Sequence, residues 1–132
     1  MTLVIDAALV VAALVDDGPV GGWADELMTI HDLAAPHLMH AEVVNILRRS
    51  ALAGGLSTDA ASLAQADLLE LRVALFPYRP FASRVWELRE TVTAYDAWYV
   101  ALAEGLEARL ATLDMRLSRA SGPRCDFVTP PG

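Results

Sequence analysis

Residues 2–15 are Thr2-Leu3-Val4-Ile5-Asp6-Ala7-Ala8-Leu9-Val10-Val11-Ala12-Ala13-Leu14-Val15, and they carry the strongest indication of the fold class. Its first residues are a short β-branched apolar run without polar alternation, the pattern of a strand covered on both faces. The residues from Ala7 onward are an apolar, alanine-rich run of helical character, and only Asp6 separates the two. An aspartate at such a junction suits an N-cap, because its carboxylate accepts orphan backbone N–H groups of the first helical turn. The chain thus opens as a strand passing directly into a helix.

The same junction recurs near the other end. Arg109-Leu110-Ala111-Thr112-Leu113 is strand-like and runs into Asp114 and the helical residues 115–120, MRLSRA. Between the two junctions, the turn signal DDGPVGG (16–22) precedes a helix over 22–30, and Leu33-Ala34-Ala35 reads as a short strand before Pro36. A longer helix spans His37 to Ala53, with Leu38, Val43, Val44, Ile46 and Leu47 in its apolar positions and Gly54-Gly55 as its stop. Ser57 or Thr58 caps a further helix to about Leu71, residues 72–76 (RVALF) read as a strand, and residues 81–90 as a helix. Thr93-Ala94-Tyr95-Asp96 ahead of AWYVALAEGL is a capping box, with Gly105 marking the stop of that helix. Phe127-Val128 reads as a last strand. Short apolar strands alternating with helices describe an α/β domain built on a parallel sheet.

With 132 residues, the chain has the size of one domain, residues 1–132, without repeats or linkers. A chain of this size buries roughly two-thirds of its unfolded surface and needs no disulfide or structural metal. Its single cysteine, Cys125, has no partner within the chain and reads as a small buried hydrophobe in a reducing, cytoplasmic setting. All ten basic residues are arginine. That excludes a P-loop, a lysine-dependent receiver domain and any Schiff-base or pyridoxal-phosphate site. The glycines of Gly18-Pro19-Val20-Gly21-Gly22 lack dinucleotide-binding spacing. The apolar run Ala7–Val15 falls short of the about 20 residues a membrane span needs, and aspartates bracket it at Asp6, Asp16 and Asp17. No basic residue precedes it, as a secretory signal would require.

In an open parallel sheet the C-terminal ends of the strands share one edge, where such folds place ligands. Asp6 and Asp114, each just past a strand, are therefore expected on the same rim. Asp96 lies near the start of the helix that precedes the second strand. Glu42 lies on the helix after Pro36, with Asn45 and Arg49 on the same face at i+3 and i+7. Taken singly, Asp6 and Asp114 read as caps, Asp96 as part of a capping box and Glu42 as a solvated glutamate. Should the four converge, their repulsion requires bound protons or a cation among them. Oxygen donors without a cysteine or histidine cluster select Mg²⁺ or Mn²⁺, and the chemistry natural to such a site is phosphodiester hydrolysis.

These residues resemble the PIN-domain ribonucleases, most closely their VapC-like toxin branch. The marks are LVIDA (3–7), HAEVVNILRR (40–49), TAYDAWYVALAE (93–104) and LATLDMRL (110–117), and the likeness spans essentially the whole chain. It implies a three-layer fold with a five-stranded parallel sheet between helices. It also implies an acidic Mg²⁺ or Mn²⁺ site made by Asp6, Glu42, Asp96 and Asp114, with Asn45 and Thr112 in supporting polar positions. The implied activity is endoribonucleolytic: a metal-activated water hydrolyses RNA and leaves a 5′-phosphate. One departure stands out, since many members carry Ser or Thr two residues after the first aspartate and this chain has Ala8. Glu104, two turns beyond Asp96, is a further carboxylate that reads more readily as an ordinary exposed glutamate.

The net charge of -7 is unusual for a protein that binds phosphates. Metal would neutralise several of the acids. Arg48, Arg49, Arg116 and Arg119 follow Glu42 and Asp114 closely enough to contact an RNA backbone, and each reads equally as part of a solvated helix face. The family likeness implies a small antitoxin whose basic tail occupies the acidic site, and a homodimer. His31, His37 and His40 lack metal-ligand spacing and read as local structure, while Trp86, Trp98 and Tyr99 read as core or subunit packing. Two other functions fit the same acids: a non-catalytic module that binds a basic protein, and a DNA-directed nuclease of like chemistry.

Overall fold

The computed structural model describes residues 1–132. Five parallel strands form one sheet. At its centre is β1 (Thr2–Ile5), flanked by β2 (Asp32–Pro36) and β4 (Arg109–Ala111), with β3 (Val73–Phe76) and β5 (Phe127–Val128) at the edges, in the order β3-β2-β1-β4-β5. The helices are α1 (Ala7–Val15), α2 (Pro19–Ile30), α3 (Met39–Leu52), α4 (Thr58–Leu69), α5 (Ala82–Glu87), α6 (Ala94–Leu106) and α7 (Met115–Ser118). The α/β class and the five-stranded parallel sheet expected from the sequence are both present.

The apolar character of β1 follows from its place. Leu3, Val4 and Ile5 have no exposed surface, because successive side chains point to opposite faces and helices cover both. On one face α1 packs against α2, α3 and α4; on the other α6 crosses β1, β2 and β4, with α5 beside it. The deepest helix is α6, with Ala97 and the run Tyr99–Ala103 buried. Ile5 lies opposite Ala111 in the register, and the Asp6 N–H donates to the Ala111 carbonyl at 3.2 Å. The chain winds outward from β1 to β2 and β3, then returns across the sheet to β4 on the other side of β1. That reversal opens a crevice at the C-terminal ends of β1 and β4.

Several element boundaries differ from the sequence reading, each for a tertiary reason. The second helix starts at Pro19 rather than Gly22, and the chain bends through 109° between α1 and α2. A Cβ on Gly21 would lie 1.8 Å from the Asp16 carbonyl oxygen, so this glycine permits close approach inside a helix instead of making a turn. Gly105 likewise lies within α6, where a Cβ would stand 3.0 Å from the Phe81 ring; the left-handed residue that ends the helix is Glu107, at φ 53°. The helix expected over 81–90 is a 3-10 turn (Arg79–Phe81) followed by the short α5. The last helical junction is looser than the first, since β4 ends at Ala111 and Thr112 and Leu113 intervene before Asp114. No helix is long and apolar enough to cross a membrane.

Candidate functional site

The crevice is furnished first by its caps. Asp6, immediately after β1, accepts the Leu9 N–H at 2.9 Å through Oδ1 and so starts α1. Its other oxygen, Oδ2, accepts the hydroxyl of Thr112. Thr112 is fully buried, and its Oγ1 in turn accepts the Asp114 N–H at 3.0 Å. One hydroxyl thus joins the two strand-end carboxylate segments. The Asp114 Oδ1 accepts the N–H groups of Arg116 and Leu117 at 2.9 and 3.1 Å, which caps α7.

The other two acids arrive on helices. Thr93 caps α6 by accepting the Asp96 N–H at 3.2 Å, which places Asp96 in the first turn, half-buried. Glu42 lies in the first turn of α3, and the hydroxyl of Tyr99 donates to its Oε1 at 2.7 Å. Tyr99 was expected only to pack. It is buried, as expected, and it also holds a candidate ligand; the available signal was its position three residues after Asp96, on the same face of α6.

Electrostatics tie the four acids together. Burial raises the Asp6 carboxyl from 3.8 to about 6, and the charges of Asp96 and Asp114 push the same way against the bonds from Thr112 and Leu9. Burial also raises Glu42, with Asp96 adding to the effect and the Tyr99 bond opposing it. Asp96 is raised by burial and then by Asp114, with the Thr93 hydroxyl opposing. The Tyr99 phenol is driven far up by burial, by its bond to Glu42 and by the charges of Glu42, Asp6 and Asp96. No ion pair neutralises this charge. The ion pairs of the chain are Met1–Asp32, Arg84–Glu87 and Arg84–Glu104.

As they stand, no three acidic, histidine or cysteine side chains form a ready-made ion cage. Two depressions divide the site: Asp96 and Asp114 line one with Thr91, Thr93 and Arg116, and Glu42 and Asn45 line the other with Leu38 and Tyr95. The donor chemistry nonetheless fits a hard divalent cation. It consists of carboxylate oxygens alone, three of them with raised pKa values, which a double positive charge would relieve. Ala8 is exposed, and no hydroxyl of α1 reaches Asp6; the hydroxyl at this carboxylate comes from Thr112.

The remaining candidates separate. Arg49 is exposed on α3, seven residues beyond Glu42, whereas Arg48 lines a groove between α3 and α4 with Val44 and Leu47. Arg116 borders the Asp96 and Asp114 depression, and Arg119 is exposed at the end of α7. None of the four guanidiniums is in an ion pair. Glu104 takes no part in the crevice: it accepts Arg84 Nε at 2.7 Å and the Arg124 N–H at 2.7 Å. Burial pushes its carboxyl up, but those bonds outweigh it and hold the group below the usual range. The Cys125 thiol is pushed up to about 11 by burial and by Glu104. His31, at the C-terminal end of α2, bonds the Leu27 carbonyl of that helix at 2.9 Å. Trp86 does not pack in the core; it is 67% exposed, with the Arg89 guanidinium 4.4 Å from its ring centre. Trp98 packs edge-on to Tyr78 at 5.3 Å.

Known proteins are similar to this chain in sequence or in fold. The family model of the PIN domain matches residues 3–123. Ribonuclease VapC1 of Mycobacterium tuberculosis is 40% identical over 125 residues, 94% of each chain. Ribonuclease VapC9 of the same organism is 36% identical over 129 residues, 98% of each chain. Among solved structures, VapBC2 from Rickettsia felis, bound to a DNA fragment from its promoter, matches with a TM-score of 0.67 over 98% of both chains; at 14% identity it supports the fold alone. By sequence over nearly its whole length, this chain belongs to the PIN-domain family and, within it, to the VapC ribonucleases.

Proposed function

We propose that this protein is a divalent-metal-dependent endoribonuclease and the toxin of a toxin–antitoxin pair, a single catalytic domain over residues 1–132. The observation that carries the reading is a set of mutually repelling carboxylates, Asp6, Glu42, Asp96 and Asp114, none of them in an ion pair, at the crevice by the β1 and β4 ends. These four residues would hold Mg²⁺ or Mn²⁺, which when bound supplies Lewis acidity for water activation and charge neutralisation. Thr112 fixes the orientation of Asp6 relative to Asp114, and Tyr99 fixes Glu42. Asn45 adds a polar group beside Glu42, and Arg49, Arg116, Arg119 and the more distant Arg48 are free to neutralise phosphates of the RNA.

The names of the relatives support the substrate class, and a cognate antitoxin is proposed by analogy with VapBC2, whose fold this chain shares. A basic tail suits both the acidic crevice and the net charge of -7. A cytoplasmic homodimer completes the reading. Purified protein with Mn²⁺ should cleave single-stranded RNA, lose the activity in excess EDTA and lose at least about a hundredfold in rate on Asp96→Asn. Equal cleavage in EDTA, or by the variant, contradicts the proposal. A competition between RNA and DNA oligonucleotides tests the DNA-directed alternative.

The observed capping by Asp6 and Asp114 favours one rival, a non-catalytic module that binds a basic protein and uses these acids only to start α1 and α7. That rival predicts no heat on Mn²⁺ titration and no gain in metal-free stability on Asp6→Asn, since asparagine caps a helix as well as aspartate does.

A further inference from the structure

The geometry points to a base-binding subsite in the depression between α3 and the start of α6, where the Tyr95 ring would stack on an unpaired RNA base next to the cleaved bond. This rests on the ribonuclease reading above and adds to it the part of the substrate that this surface takes.

Tyr95 is 62% exposed, although it sits in the first turn of α6, the most deeply packed helix of the molecule. It immediately precedes Asp96, and it lines a depression with Leu38, Ala41, Asn45 and Glu42. The side-chain bonds at this end of α6 run from Tyr99 to Glu42 and from the Asp96 N–H to Thr93, so the Tyr95 hydroxyl and the Asn45 amide have no partner in the protein. An aromatic face, an aliphatic wall and a free amide are the elements that hold a splayed nucleobase: the ring stacks and the amide reads an edge. Bases inside a duplex expose no face to such a ring, so the occupant is an unpaired nucleotide.

The depression on the other side of Asp96 has the complementary chemistry. Thr93 and Arg116 border it together with Asp114, a hydroxyl and a guanidinium suited to a phosphate, while the Thr91 hydroxyl at its edge donates to the Ser121 carbonyl. A nucleotide strand laid across Asp96 would therefore meet an aromatic surface on one side and backbone-binding groups on the other. Stacking tolerates many sequences but favours purines, which have the larger π-face.

Steady-state cleavage of single-stranded RNA, with oligoadenylate and oligouridylate as competitors, tests the subsite. Tyr95→Ala should raise KM about tenfold with kcat little changed, in line with the usual worth of one base–aromatic stack. Tyr95→Phe and Tyr95→Trp should keep the wild-type KM. Oligoadenylate should compete better than oligouridylate against the wild type and lose that advantage against Tyr95→Ala. Melting temperatures should match, because the side chain is exposed. An unchanged KM for Tyr95→Ala overturns the inference, as does a Phe variant as impaired as the Ala variant. So does an Ala variant that keeps its KM but loses a protein partner, which would assign the depression to that partner. If the wild-type protein cleaves no RNA, the ribonuclease reading itself fails, and that is seen before any variant is made.

Discussion

Thr112 accepts the Asp114 N–H and donates to Asp6, so a residue with no exposed surface sets the relation between two carboxylates from distant parts of the chain. Thr112→Val keeps the volume but removes both bonds, and should destabilise the protein by about 1–3 kcal/mol in thermal denaturation. Asp6 gives a sharper test, because its direction with pH is set. Its carboxyl is raised from 3.8 to about 6 on folding, so the folded state favours the protonated form. The resulting stabilisation is complete below about pH 4 and is lost as pH rises through 6. For this group alone that amounts to about 3 kcal/mol. Asp6→Asn keeps one oxygen to cap α1 and turns an NH2 donor toward the Thr112 hydroxyl oxygen; with no carboxylate left to bury, it should raise the metal-free melting temperature more at pH 7.5 than at pH 5. No rise at pH 7.5 would leave capping as the only role. Tyr99→Phe keeps the buried ring and frees Glu42; it should cost on the order of tenfold in cleavage rate or Mn²⁺ affinity with little change in fold, measured by kinetics and titration.

At the scale of elements, what was legible in the sequence was local. The run into Asp6 and the box from Thr93 to Asp96 could be read because strand, cap and helix are neighbours in the chain, and both junctions stand where they were placed. The sequence did not show the contacts that alter the meaning of a residue. Gly21 looked like part of a turn because the Asp16 carbonyl that it must admit belongs to the preceding bend, and Gly105 looked like a stop because the Phe81 ring lies on another element. The role of Tyr99 depends on α3 approaching α6, which no periodicity within α6 encodes. Gly21→Ala tests the first of these: it should destabilise the protein by about 3 kcal/mol, since neither the carbonyl nor the helix can yield freely, and an unchanged melting curve would show that α2 can shift. The Arg84–Glu104 pair, by contrast, fastens α5 and α6 to the segment before β5 and leaves Glu104 outside the crevice.

For the molecule as a whole, the sheet order brings Asp6 and Asp114 to adjacent strand ends, and the two faces of helices supply Glu42 and Asp96 from opposite sides. The cost of this arrangement is unneutralised negative charge in a chain that is already acidic, and Arg116, at the edge of the crevice, forms an ion pair with none of the four acids. The proposed site therefore depends on a divalent cation. The direct measurement is titration of Mn²⁺ into the purified metal-free chain at pH 7.5 by calorimetry, alongside Asp6→Asn and Asp114→Asn. Saturable binding by the wild type, weakened at least about tenfold in each variant, is the predicted result. Absence of binding by the wild type, or binding that both variants retain unchanged, would contradict it.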